Sequence, residues 1–118
     1  MAATGAVLAG LAVAAGAFGA HALGDVVTAA RLATFETAAR YLMYHALALI
    51  AVGWMLRDGA SAGLLWAARL FLLGMLLFSG SLFALVLLDR SMLGIITPFG
   101  GVAFMAGWVT LAVTLWRK

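Results

Sequence analysis

Charged side chains are so sparse in this chain that they leave four long uncharged intervals, and this spacing limits its architecture more than any motif does. Met1–Gly24 holds 24 residues, Tyr41–Leu56 holds 16, Leu70–Leu88 holds 19 and Ser91–Trp116 holds 26. A helix rises about 1.5 Å per residue and a hydrocarbon core is about 30 Å thick, so about 20 residues are needed to cross it. Three intervals meet that length unaided. The second falls short by about a turn. Either Arg40 snorkels to the interface, or the second helix begins earlier and carries Glu36 and Arg40 into the bundle.

Composition agrees with a lipid environment. The 118 residues are 67% hydrophobic and 9% charged, where a soluble domain carries about 25% charged residues. Eleven charged side chains cannot cover a globule of this size in water. The length suits one small unit, a single transmembrane domain over 1–118, and the hydrophobicity excludes disorder. The net charge of +3 comes from scattered Arg and Lys with no basic run, which excludes a nucleic-acid partner. The chain has no Cys, which removes disulfides, iron–sulfur clusters and thiol catalysis.

The expected fold is all-α: an integral membrane four-helix transmembrane bundle with spans at about 3–23, 38–57, 64–88 and 97–116. A short interfacial helix is expected between the first two spans, where Val26, Val27 and Phe35 mix with Thr28, Arg31 and Thr34. Ala20-His21-Ala22 mimics a signal-cleavage site, but the basic leading region is missing and the apolar stretch is too long, so the first span is expected to be retained. No lipidation signal is present.

Small residues suggest where helices approach one another. Ten Ala and five Gly fall in the first 24 positions, and Ala12, Gly16 and Ala20 recur at four-residue spacing. Ser79-Gly80-Ser81 forms a small polar notch in the otherwise greasiest third span. Thr97-Pro98 reads as an N-cap followed by the first helical position, where proline's missing N–H costs nothing. A helix starting near Ser91 and kinked at Pro98 is the alternative. Gly100-Gly101 reads as close helix packing rather than a phosphate loop.

The polar candidates gather on the second span. On a helix Glu36, Arg40 and Tyr44 share one face at four-residue spacing, with Tyr41 and His45 beside them. Ionisable groups inside a membrane are functional candidates. The structural alternative is a self-neutralising Glu36–Arg40 pair at the interface with anchoring tyrosines. His21 and His45 are the only histidines and fall in the same leaflet of antiparallel neighbours. They could clasp haem or part of a metal site, with Glu36 or Asp25 as a third ligand, or simply hydrogen-bond backbone and tyrosine hydroxyls. The second is favoured, and no cofactor or metal is expected. Trp54, Trp66 and Trp116 lie near span ends as an aromatic belt, while Trp108 sits mid-span and reads as packing.

Several segments resemble domain-of-unknown-function family 423, which includes the transmembrane protein 256 group. They are Gly16-Ala17-Phe18-Gly19-Ala20-His21-Ala22-Leu23, Phe35-Glu36-Thr37-Ala38, Tyr41-Leu42-Met43-Tyr44-His45-Ala46-Leu47-Ala48, Phe78-Ser79-Gly80-Ser81-Leu82 and Gly94-Ile95-Ile96-Thr97-Pro98-Phe99-Gly100-Gly101. The resemblance implies a small bacterial inner-membrane protein with about four spans, and transfers no catalytic residue, cofactor or substrate. The expected function is a non-catalytic membrane factor that binds lipid or a membrane-protein partner and forms a homo-oligomer. The alternative is a small oligomeric channel or transporter. Counting Arg and Lys with Arg40 buried places both termini in the cytoplasm.

Overall fold

The computed structural model describes Met1–Lys118, which is all-α and 85% helical. Four helical rods follow one another: α1 (Ala2–Leu23), α2 (Ala29–Met55), α3 (Ala62–Leu87) and α4 (Thr97–Trp116). The last turn of α1, Gly19–Leu23, and the middle of α3, Met75–Ser79, are π-helical. A 3-10 turn over Ser91–Ile95 leads into α4. Three helical stretches, Ala2–Leu23, Ala62–Leu87 and Ser91–Trp116, are long and apolar enough to cross a membrane.

No separate interfacial helix forms between the first two rods. Thr28 caps α2 by accepting a hydrogen bond from the Arg31 N–H at 3.2 Å. From there no Gly or Pro interrupts the chain before Gly53, so nothing stops the helix from running on. The segment expected to lie in the interface is therefore the first third of a 27-residue rod, about 40 Å long. The helix begins well before the uncharged interval that starts at Tyr41, so α2 carries Arg31, Glu36 and Arg40 within its own length.

The rods are antiparallel neighbours in chain order, with α1 against α2, α2 against α3 and α3 against α4. The Cα envelope measures 49 × 26 × 17 Å, so the assembly is flattened, with α1 and α4 at opposite edges. The α1–α2 seam is made of small residues. Gly5 lies under the Ala46 carbonyl, Gly53 against Ala2, and Gly19 faces the Phe35 ring at 3.0 Å from where a Cβ would stand. The α3–α4 seam is a reciprocal ladder in which a glycine on one rod receives an aromatic ring of the other. Phe71 sits over Gly107, Phe104 over Gly74, and Gly100 lies against the Phe78 backbone. The core at the centre is Leu42, Leu49, Val52, Leu64, Phe71, Met75 and Phe104.

Two serine hydroxyls help tie the rods together. Ser79, brought to bear on α2 by the π turn, donates to the Ala38 carbonyl at 2.8 Å. The Ser81 hydroxyl donates to the Phe78 carbonyl at 3.0 Å, which leaves Thr97 to donate to Ser81 at 2.6 Å. Thr97 is thus not the N-cap of α4. Ile96 occupies that position, Thr97 and Pro98 open the helix, and the threonine side chain fastens α4 to α3 instead of capping its own helix.

The connections are short. Asp89 has φ of 51° at the end of α3, and the Arg90 N–H bonds back to the Leu85 carbonyl, a Schellman closure. Arg31, in the first turn of α2, ties that helix to the α3–α4 connection, 3.2 Å from the Asp89 carboxylate and 2.9 Å from the Ser91 hydroxyl. At the opposite end Arg57 lies over the Trp54 ring at 4.7 Å, and Arg69 over Trp66 at 5.4 Å.

Candidate functional site

The α2 rod presents two different polar neighbourhoods, because Glu36 and His45 are nine residues apart and therefore point about half a turn away from each other. The inward one centres on His45, which is buried among Tyr41, Phe71, Phe104 and Trp108. Its ring stacks on Phe104 with centroids 3.5 Å apart and 9° between planes. His45 Nδ1 lies 2.7 Å from the Tyr41 carbonyl, which can only accept, so Nδ1 carries the proton. The Trp108 indole N–H donates to Nε2 at 3.1 Å, and an indole is a donor only. His45 is consequently the neutral Nδ1–H tautomer with both nitrogens occupied. A ligand role would require one of those bonds to be given up.

The outward neighbourhood is Glu36, Arg40 and Tyr44, all exposed. Glu36 and Arg40 do not form the ion pair expected from their spacing. The single salt bridge in the chain is Arg31–Asp89, and Arg40 instead reaches the Thr37 hydroxyl at 3.3 Å. Both side chains border a groove of about 330 Å³ between α1 and α2, together with Ala12, Gly16, Ala39 and Met43. Arg40 is nine residues past Arg31, about 13 Å along the rod, and Glu36 about 7 Å.

The histidines lie at different depths. Gly19 packs on Phe35, so the exposed His21, two residues on, lies beyond Phe35 towards the start of α2. His45 is ten residues past Phe35 in the other direction, about 15 Å away. They do not meet, and no three His, Asp or Glu side chains gather as a metal site would require. Ala20 is exposed and Gly16 has nothing within 4 Å of a built Cβ. Within the chain the close approach to α2 is made by Gly5 and Gly19. Ser79, Ser81, Thr97 and Gly100 lie where α3 meets α2 or α4, Pro98 sits in the first turn of α4, and a Cβ at Gly101 would stand 3.9 Å from the Phe78 ring.

Sequence reasoning missed the partnership of Trp108 with His45. A usable signal existed: Trp108 stands mid-helix, away from any belt, and an indole N–H kept from water must find an acceptor. His45 is the one strong side-chain acceptor at matching depth. Phe78 and Phe104, which complete the aromatic cluster with Tyr41, carry no comparable signal in a chain this rich in apolar residues.

Comparison with known proteins identifies the family. Residues 15–101 match the family model described as protein of unknown function (DUF423). The UPF0382 membrane protein SAB0533 of Staphylococcus aureus is 42% identical over 113 residues, covering 96% of this chain and 92% of that one. The UPF0382 membrane protein YwdK of Bacillus subtilis is 43% identical over 110 residues, covering 92% and 89%. The UPF0382 inner membrane protein YgdD of Escherichia coli is 37% identical over 109 residues, covering 90% and 83%. No solved structure matches the chain.

Proposed function

Because the chain belongs to the DUF423 family, whose function is unknown, no activity comes with its membership, and we propose one from its surface. The protein is a non-catalytic bacterial inner-membrane factor that crosses the bilayer four times and binds another membrane component through the outward polar stripe of α2. The inner-membrane location is taken over from the Escherichia coli relative's name. The four-span reading is supported by α2 itself, which at 27 residues is long enough and packs antiparallel on α1 from Phe35 to Gly53.

One observation carries the binding reading. Every buried polar side chain is already satisfied inside the chain, whereas Glu36 and Arg40 face outward with no opposite charge from their own chain. Polar groups that seek partners outside the chain suit a binding surface. A transport path needs polar groups in sequence through the interior. Here Ser79, Thr110 and Thr114 donate to backbone carbonyls, and His45 is saturated by Tyr41 and Trp108. Purified protein in liposomes is expected to give no ion or proton flux above empty vesicles. Flux that disappears in Arg40→Ala or His45→Ala would overturn the binding reading in favour of a channel.

With Arg40 held at depth, it no longer counts towards orientation. The side of the termini carries Arg57, Arg69, Arg117 and Lys118, against Arg31 and Arg90 on the other. This bias supports cytoplasmic termini.

A further inference from the structure

Glu36 and Arg40 form a self-complementary pair that their own chain leaves open. Four residues apart on one rod, they have the spacing and order that favour an intrahelical ion pair. The chain does not close it, and no Lys, Arg, Asp or Glu of another rod reaches either side chain. Lipid tails cannot compensate them. Headgroups can do so only where Arg40 extends towards them, its Cα standing about 13 Å along the rod from Arg31, which itself marks the polar end by binding Asp89 and Ser91.

We infer that the outward stripe of α2, with the groove beside it, is the seat of a second copy of this chain, in which Arg40 of each copy pairs with Glu36 of the other. This inference rests on the binding reading above and names its partner. Copies inserted in one orientation relate by a two-fold axis along the membrane normal, so equal depths meet. Glu36 and Arg40 differ in depth by about 6 Å, a gap that a guanidinium on its long stem spans. The two-fold then makes two reciprocal ion pairs from one motif and leaves no charge facing lipid. The surroundings permit close approach. Ala33 and Leu47 flank the pair on the same exposed stripe. The adjoining groove is floored by Ala12 and Gly16, where a Cβ at Gly16 meets nothing in its own chain. The charges supply register and specificity, and the small residues supply proximity.

The absence of Cys makes the geometry readable. In native membranes, oxidation is expected to cross-link Ala33→Cys and Leu47→Cys each to its own counterpart, and not Val109→Cys, exposed on α4. Cross-linking at Val109 without Ala33 or Leu47 would overturn the proposal. The charge pairing is tested with two differently tagged copies. A copy carrying Glu36→Arg and a copy carrying Arg40→Glu are each expected to self-associate at least about tenfold less than the unaltered chain. Expressed together, the two are expected to co-purify at the level of the unaltered chain, a rescue that misfolded protein cannot give. Self-association unchanged in both single variants, or no recovery in the mixed pair, would overturn it. Native mass spectrometry from nanodiscs of bacterial phospholipid separates the two layers of the argument. A dimer supports the inference. A monomer that retains phospholipid, and loses it in Arg40→Gln, overturns the second copy while leaving the binding reading intact. A monomer with nothing bound overturns both.

Discussion

The two ring nitrogens of His45 are both committed, one to the Tyr41 carbonyl and one to the Trp108 indole, and that arrangement sets the consequences of altering either partner. Trp108→Phe removes the donor and strands Nε2 in an apolar cluster, an expected loss of about 1–3 kcal/mol of stability. His45→Phe strands the indole N–H in the same way. Replacing both partners by apolar rings leaves nothing unpaired, so the double variant His45→Phe/Trp108→Phe is expected to lose less than the two single losses added together. Thermal unfolding of the four proteins in one detergent measures the coupling. The result also separates a packing role for His45 from the haem or metal role that two histidines in a sequence suggest. The Glu36–Arg40 pair illustrates the limit of spacing arguments at this scale. An i,i+4 register states that two side chains can meet, and the rest of the surface decides whether they do.

Among the elements, α3 and α4 are joined by glycines that have aromatic rings where their side chains would stand. Gly100→Ala places a methyl group against the Phe78 backbone, which cannot move aside as a flexible side chain would. The expected cost is about 1–3 kcal/mol through overpacking. Gly10→Ala, at a position with no neighbour within 4 Å, is expected to be neutral or slightly stabilising, since alanine favours a helix. Comparing the two melting temperatures checks the seam. Much of this level was legible in the sequence. The charges at Asp25, Arg57, Asp89 and Arg117 stand just beyond the helix ends, because a charge inside an apolar rod is costly. The π turns were not legible, since Met75–Ser79 differs from its helical neighbours in no residue type that signals a widened turn. The N-cap of α4 was misplaced by one residue because Thr97 had a better partner in Ser81 than its own backbone.

At the scale of the whole molecule, the chain reads as two hairpins laid side by side, α1–α2 held by small residues and α3–α4 by the ring-and-glycine ladder. The proposed orientation is checked with reporter enzymes fused after Lys118 and within the connection after α3. Cytoplasmic activity is expected at the first and periplasmic activity at the second. The reverse pattern would invert the topology. The connection between the hairpins, Leu56–Ser61, falls within two residues of the gap left between the expected second and third spans. The flattening to 17 Å was not, because periodicity locates faces on a helix without stating which face meets which.

The unequal hydropathy of the first two rods has a consequence for biogenesis. Alone among the four, α2 is not among the stretches apolar enough to cross a membrane by length and composition. A segment carrying Arg31, Glu36 and Arg40 would leave a translocation channel slowly on its own. Its predecessor α1 is already apolar, and five residues later α2 begins to lie against it. The nascent chain therefore has reason to partition as a hairpin, with α1 waiting at the lateral gate until α2 can fold along it.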